Sequence, residues 1–396
     1  MNNLSRFVYR TTQDGTDVLF HSVTQKLLLP TASEEVLRKH MFFEDQNQEA
    51  IRSRLAKQPD QLALNLVTTL ECSLRCTHCC VLPILKTIDD DKINPEKLKV
   101  FLQRYFVKYP NIKRFQAYFI GGESLLYPQD ILGLMQVVET VAAEANIKLM
   151  MGTTTNLAFP LTHEHIQVFD KLYNISISID GFEEEHNTQR KAFKEKGINP
   201  FQVTVDNLKR LMLLGYRDKI HVQAALRDNL LTDDYTFRFT KYLTELGVKI
   251  ENTLIGSIFP TKSKPVPEEQ WYNHKTESLF LKNKPCCKYQ FMSNIQVNSN
   301  GTMVDNYYTT ENAYLGTLDD DIETIAQRNV DLIVNHMPAL QDKTCLSCPA
   351  LGYCWGGCVN GHVLIGNKPS LHCNKAKIVP HMQELAIKGR LINNYK

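Results

Sequence analysis

Four cysteines fall within nine residues of this chain, in the stretch TTLECSLRCTHCC from Thr68 to Cys80. No other segment limits so narrowly what the chain can become. Cys72, Cys76 and Cys79 are spaced C-x3-C-x2-C. A loop that short can wrap one inorganic cube and offer a thiolate to each of three irons, which leaves a fourth iron without a protein ligand. Close cysteine spacing of this kind holds iron–sulfur clusters. Zinc is the competing occupant, but four-cysteine zinc sites combine two C-x2-C knuckles, and no second knuckle comes before Cys345. Cysteine's ordinary use as a small buried hydrophobe does not account for the density. Cys80 stands outside the set, as a buried structural thiol or, alternatively, a catalytic one.

The loop follows an apolar run, LALNLVTTL, and from Leu62 to about Gly256 such runs alternate with helical ones. Strands are expected at RFQAYFIGGE, IKLMMGTTTN, LYNISISID, KIHVQAAL and VKIENTLIG. Between them PEKLKVFLQRYF, PQDILGLMQVVETVAAEA, THEHIQVFDKL, FQVTVDNLKRLMLLG and TDDYTFRFTKYLTELG read as helices. Asn94 is placed to cap the first of these, with Pro95 in its first turn. Six strands separated by helices imply parallel pairing through right-handed crossovers, and runs such as YNISISI suit burial on both faces. The expected fold is α/β, a partial (β/α)6 barrel over residues 61–265, with its site at the C-terminal strand ends. Residues 1–60 carry a hairpin signal at Asp14-Gly15 and two helical stretches, the first capped by Ser33 or Thr31. They form a small α+β, winged-helix-like module or a plain N-terminal embellishment of the main domain. After Pro260, TKSKPVPEEQ reads as a linker.

A second cysteine field follows: Cys286-Cys287, then Gly301 in a hairpin-like NSNGTMV, then Cys345-x2-Cys348-x5-Cys354-x3-Cys358-x14-Cys373. Five thiolates are one more than a single four-iron cluster or zinc ion uses. One of them therefore serves a second site, with Cys286 and Cys287 its natural companions. Zinc remains an alternative here, because C-x2-C pairs are shared with zinc knuckles.

Charge adds exclusions. Lys and Arg total 45 against 43 for Asp and Glu, a net charge of +2, which makes no electrostatic case for nucleic acid or a membrane surface. No apolar run reaches the about 18 residues of a transmembrane helix, and MNNLSRFVYRTT lacks the apolar core of a secretory signal. Eleven cysteines then point to metal or cluster ligation in a reducing compartment, so a cytoplasmic location is expected.

The cysteine loop after the first strand resembles that of the radical S-adenosylmethionine (SAM) enzymes, with His78 where the family more often has an aromatic residue. The resemblance implies a 4Fe–4S cluster whose open iron is chelated by the amino and carboxylate groups of SAM, and whose electron cleaves SAM to methionine and a 5′-deoxyadenosyl radical. Gly121-Gly122-Glu123 resembles the family's GGE motif, which holds the SAM amino group; glycines admit close backbone approach, and a carboxylate or backbone carbonyl suits an ammonium. Thr154-Thr155-Asn156 resembles the TTN motif, implying Thr155 and Asn156 near the methionyl group and ribose. Ser176–Gly181, SISIDG, resembles the SxSIDG strand, with Ser178 a SAM-contacting hydroxyl, and Arg190 matches an arginine aimed at the site. Each alone reads as a strand-end turn or a solvated charge; all four in order, each at or just past a strand end, do not.

Residues 266–396 resemble the SPASM extension of radical SAM peptide-modifying enzymes, which implies two auxiliary 4Fe–4S clusters. Cys345, Cys348, Cys354 and Cys373 would hold the distal one, and Cys358 would cross to the proximal one with Cys287 and Cys286. The family pattern has a cysteine five residues after Gly301, where this chain has Asn306. The proximal cluster is then expected to have an open iron, a non-cysteine ligand such as Asp305, a smaller nuclearity, or to be lost. No catalytic base is assigned; Asp305 is the candidate. Sulfatase-maturating relatives use an aspartate after the missing cysteine, and Tyr307 stands there.

The function implied is that of a maturase acting on a ribosomally synthesised precursor peptide, installing an oxidative side-chain crosslink, a carbon–carbon cyclophane or a thioether. The N-terminal module would recognise a leader peptide, and flavodoxin or ferredoxin would supply electrons. The alternatives are a sulfatase-type maturase or other radical SAM dehydrogenase, and a non-catalytic metal-stabilised scaffold that binds peptide.

Overall fold

The hairpin signal at residues 14–15 is realised. Strands β1 (Val8–Gln13) and β2 (Thr16–His21) pair antiparallel from Val8↔His21 to Gln13↔Thr16, and β3 (Lys26–Leu28) pairs with β2. Helix α1 (Glu34–Lys39) begins at Ser33, whose hydroxyl accepts the Val36 amide, so Ser33 and not Thr31 is the cap. Helix α2 (Asn47–Leu55) completes the segment. Leu19, Leu37, Phe42 and Phe43 form its core. His21 is fully buried beside Phe7 and Phe42, its Nδ1 accepting the amides of Val23 and Thr24.

This computed structural model describes residues 3–13, 16–24, 26–55, 58–79, 91–193, 197–257, 292–305, 314–336, 343–348 and 351. They fall in two units, one holding the described residues of Met1–Gln58 and Ala326–Lys396, the other those of Pro59–Trp271 and Met292–Ile325.

The second unit is built on a sheet that follows the expected alternation. Its elements run β4 (Gln61–Thr69), β5 (Leu74–Cys76), α3 (Pro95–Lys108), β6 (Arg114–Gly121), α4 (Pro128–Glu144), β7 (Lys148–Thr155), α5 (His163–Lys171) and β8 (Asn174–Ser178). They continue α6 (Glu183–Gln189), β9 (Arg190–Ala192), α7 (Pro200–Leu213), β10 (Ile220–Leu226), α8 (Asp233–Glu245) and β11 (Thr253–Ser257). Strands β4, β6, β7, β8, β10 and β11 lie side by side in chain order, every pair parallel. The last begins at Thr253, later than VKIENTLIG implied, because Ile250–Asn252 form a 3-10 turn.

Helix starts follow the expected chemistry. The Asn94 side chain accepts the amides of Glu96 and Lys97, with Pro95 in the first turn, and Asn199 does the same for Gln202 ahead of Pro200. On β6, Phe115, Ala117 and Phe119 are fully buried, and the Phe115 ring meets Phe106 of α3 edge-on. Each such phenylalanine contributes about 2 kcal/mol of burial.

Three further strands extend the sheet beyond β4. Strand β12 (Asn294–Val297) runs parallel to it, and β13 (Thr302–Asp305) and β14 (Tyr314–Thr317) follow antiparallel. The turn between β12 and β13 contains Gly301 at φ 79°, a left-handed position that favours glycine. The Tyr105 hydroxyl of α3 donates to the Met292 carbonyl and fixes the entry to β12. Helix α9 (Ile322–His336) follows β14. Among the described residues no helix is long and apolar enough to cross a membrane.

Candidate functional site

The C-terminal ends of the parallel strands converge on the cysteine loop, and the two glycines after β6 make that possible. A Cβ on Gly121 would overlap the Thr69 carbonyl oxygen, and one on Gly122 would overlap the carbonyl oxygens of Leu70 and Glu71. The backbone packed there is the segment leading into Cys72. The Gly122 amide donates to Thr69 at 2.9 Å and the Glu123 amide to Glu71 at 2.7 Å. The GG pair is thus a docking surface for the root of the loop.

Glu123 is 1% exposed, and its carboxylate is fully engaged by protein. It accepts the Asn156 amide at 2.7 Å, the Thr155 hydroxyl at 2.9 Å and the Leu125 amide at 3.2 Å. Burial pushes its carboxyl up to about 7, against those donors and Arg190, which pull it down. This carboxylate braces the end of β7 against the end of β6. It also aims Asn156, whose side-chain amide reaches the Cys72 sulfur at 3.5 Å. Thr155 and Asn156 are themselves buried.

A small antiparallel ladder holds the loop from its other side. Strand β5 pairs with β9 so that Leu74 faces Ala192 and Cys76 faces Arg190. Flanking bonds from Thr77 to Gln189 and from Phe193 to Ser73 extend it, and the Arg75 guanidinium lies 3.5 Å from the Phe193 ring centroid. Neither strand was expected from the sequence. Three-residue strands carry no periodicity, and RKAF offers only its closeness to a motif arginine as a signal.

Behind the ladder sits Asp180, completely buried. Arg190 donates to it from Nε at 2.6 Å and from Nη2 at 3.1 Å, the Ala225 amide donates at 2.9 Å, and His78 Nε2 lies 3.5 Å away. The third arm of Arg190, Nη1, reaches the Cys76 sulfur at 3.8 Å. Burial alone would raise the Asp180 carboxyl; the Arg190 guanidinium holds it below its ordinary value. Burial likewise opposes the charge on Arg190, and Asp180 and Cys76 outweigh it, raising the guanidinium further. His186 of α6 accepts the Asp180 amide on Nδ1 and is held down to about 4 by burial and the nearby Arg190.

Cys76 is buried with Leu74 and Ala158, and Cys72 and Cys79 pack against the same cluster. Burial pushes the Cys72 thiol up to about 12, with Glu123 adding to it, and the Cys76 thiol up to about 11, with Arg190 pulling it down. Thiols so placed become thiolates only beside a strong cation. Soft donors, one of them buried, and N–H groups at two of the sulfurs fit an iron–sulfur cluster. Among the described residues no three His, Cys, Asp or Glu side chains are grouped as ligands of a single ion; a four-iron cube takes one sulfur per iron and spreads its ligands.

Ser178 is the last residue of β8 and is buried. Ser178 pairs with Gln223, and Thr154, Ser176 and His221 form the row two residues nearer the N-terminal ends, about 7 Å along the strands. That lower row lines a cavity of about 410 Å³ together with Tyr118, Gln223 and Asn252. Sequence reasoning named Thr154 and Ser176 as members of strand-end motifs and missed His221, Tyr118 and Gln223, because alternating polar positions on a strand read equally well as a solvated face.

Of the second cysteine field, Cys345 lies in a helical turn, Lys343–Leu346, and accepts the Cys348 amide at its carbonyl. Asp305 closes β13 opposite Ile295. Cys80, Cys286, Cys287, Asn306, Tyr307, Cys354, Cys358 and Cys373 lie outside the described residues.

No family profile matches the sequence, and no curated protein matches it. Solved structures do. Histidine-tagged anSMEcpe with bound AdoMet matches with a TM-score of 0.60 at 17% identity, over 84% of this chain and 98% of that one. Native anSMEcpe with bound AdoMet and Cp18Cys peptide matches with a TM-score of 0.59 at 15% identity, over 85% and 100%. The complex with Kp18Cys peptide gives 0.61 at 15% identity, over 84% and 99%. The chain therefore shares the fold of an anaerobic sulfatase-maturating enzyme of the radical SAM type.

Proposed function

We propose that this protein is a radical SAM peptide maturase, in which Cys72, Cys76 and Cys79 hold a 4Fe–4S cluster and the strand-end motifs hold SAM. The observation that carries the reading is the convergence on two of those sulfurs: Asn156 reaches Cys72 from β7, and Arg190 reaches Cys76 from β9. When bound, the cluster and SAM supply a carbon radical able to take a hydrogen atom from an unactivated side chain. The chain's own part is positioning and exclusion of water.

Gly121 and Gly122 seat the root of the cysteine loop beside the place of the SAM amino group, while Glu123 serves through Thr155 and Asn156, since its carboxylate is occupied by them. Ser178 contributes a hydroxyl on the strand face above the cavity, and Arg190 a charge for the carboxylate. The cavity bordered by Thr154, Ser176 and His221 takes the substrate residue, one side-chain step from Ser178. Its lining mixes hydrogen-bonding groups with the Glu251 carboxylate and the apolar Ile120, Val222 and Leu254, and its volume is in the range of small-ligand pockets.

The substrate is a ribosomally synthesised precursor peptide, recognised through its leader by a strand added to the β1–β3 sheet. The product is an oxidative side-chain crosslink. Cys345, Cys348, Cys354 and Cys373 hold one auxiliary cluster, and Cys358 with Cys286 and Cys287 a second, which carry away the surplus electron. Flavodoxin or ferredoxin reloads the first cluster. A sulfatase-type maturase fits the fold equally well, since the anSMEcpe structures hold peptides. Against it stand Asn306 and Tyr307, where sulfatase-maturating relatives have their cysteine and aspartate.

The test is anaerobic co-expression with each short peptide encoded beside the gene, followed by mass spectrometry. A crosslink appears as a peptide that has lost two hydrogens and resists sequencing across the joined residues. Oxidation at a single residue without a link would favour the sulfatase-type reading, and unchanged peptide from an active enzyme would remove the peptide-maturase reading.

A further inference from the structure

We propose that Arg190, held in place by Asp180, tunes the cluster itself by donating to the Cys76 sulfur, making that cluster easier to reduce. The inference rests on the functional reading above, and concerns a role for Arg190 separate from any contact with SAM.

The geometry leaves the guanidinium little freedom. Nε and Nη2 form a two-pronged bond to the Asp180 carboxylate at 2.6 and 3.1 Å, and Nη1 faces the Cys76 sulfur at 3.8 Å. A planar fork bound on one edge has its remaining N–H direction fixed. Asp180 is in turn fixed from two sides. Its carboxylate accepts the Ala225 amide of β10, and its own amide donates to His186. The β5–β9 pairing sets Cys76 directly opposite Arg190 in the ladder. The side chains of Arg190 and Asp180 are 12% and 0% exposed, so water does little to screen the arrangement.

The charges facing Cys76 are Arg190 and Asp180, with the neighbouring cysteine Cys79 and, across the carboxylate, His78. Arg190 is the nearer in effect, since it donates directly to the sulfur. Reduction adds one electron to the cluster, and here dithionite supplies it. The added charge spreads over the sulfurs, where a cationic N–H donor stabilises it; hydrogen bonds to sulfur and local charge are recognised determinants of cluster potential. Asp180 acts through Arg190 as a positioning residue. Deprived of the carboxylate, a buried guanidinium is left as an uncompensated charge and turns toward water, away from the sulfur.

The test is an electron-paramagnetic-resonance titration of the reconstituted full-length protein against dithionite, without SAM so that cofactor contacts do not enter. Parent and variants alike also carry Cys345→Ala, Cys348→Ala, Cys354→Ala, Cys286→Ala, Cys287→Ala and Cys358→Ala, so that the signal comes from the loop cluster. Arg190→Gln is expected to shift the midpoint to more negative potential at unchanged iron content, and Arg190→Lys to fall between it and the parent. Asp180→Asn is expected to shift in the same direction as Arg190→Gln. A midpoint in Arg190→Gln that is unchanged or more positive overturns the proposal. If Arg190→Gln takes up no cluster, Arg190→Lys decides, and equality with the parent overturns it. A parental or more positive midpoint in Asp180→Asn overturns the positioning role. A parent protein that holds no iron in the loop defeats the functional reading and this proposal together, whereas a cluster indifferent to Arg190 defeats only the proposal.

Discussion

The Glu123 carboxylate accepts the backbone amide of Asn156 at 2.7 Å, and this one bond carries the order of β6 into the residue that touches Cys72. A motif carboxylate that the sequence suggests for an incoming ammonium is used here as a brace.

Glu123→Ala leaves the Thr155 hydroxyl and the Asn156 amide buried without their acceptor. Such losses cost about 1–3 kcal/mol each, so urea unfolding should show a destabilisation on the order of 3 kcal/mol. Iron retention after reconstitution should fall with it. Glu123→Gln keeps one acceptor oxygen and should recover most of both. Equal stability of Glu123→Ala and the parent would show that the brace carries no load.

Glycines separate into those that pack and those that do not. Gly121→Ala and Gly122→Ala each press a methyl group into the backbone of Thr69–Glu71, which cannot yield without moving the root of the cysteine loop. Both should lose cluster binding even where the protein still folds. Gly133, exposed in α4 with nothing near its missing Cβ, behaves oppositely. Gly133→Ala should raise stability by about 0.5–1 kcal/mol, measured as a rise in melting temperature with iron content unchanged.

Two buried histidines each contribute to the response to acid. Burial holds His21 down to about 4, and His186 is held to about 4 as well. Both sit below the ordinary 6.5, so the unfolded chain binds protons that the folded chain refuses. Each histidine's contribution is full above pH about 6.5 and is lost as pH falls from there toward 4, by roughly 3 kcal/mol, while the Glu123 carboxyl, pushed up to about 7, contributes in the opposite sense. His21→Asn should flatten the acid limb of the stability profile by one such contribution. A variant profile parallel to the parent's from pH 7 to 4 would contradict this.

Much of this architecture was legible because it is local. The six parallel strands announced themselves by apolar runs, the helix starts by Asn94 and Ser33, and the motifs by their position at strand ends. What stayed hidden was long-range or aperiodic. Helix α6 reads EEEHNTQ, and the residues it buries are His186 and Gln189, so no apolar stripe marks it. The pairing of β12 with β4 joins Asn294 to Ala63, a registry that no local pattern encodes. Arg190 could be aimed at the site from its motif, but its grip on Asp180 and its reach to Cys76 depend on the β5–β9 ladder, which forms only once the fold has brought the loop and the arginine together.

Everything proposed for this protein depends on Cys72, Cys76 and Cys79 holding a cluster that cleaves SAM, and one anaerobic assay addresses it. Protein reconstituted with iron and sulfide, reduced with dithionite and given SAM should yield 5′-deoxyadenosine and methionine, and Cys72→Ala, Cys76→Ala and Cys79→Ala should each abolish the yield. Iron-loaded, reduced protein that forms no 5′-deoxyadenosine, or a Cys72→Ala variant that forms it as the parent does, would overturn that assignment.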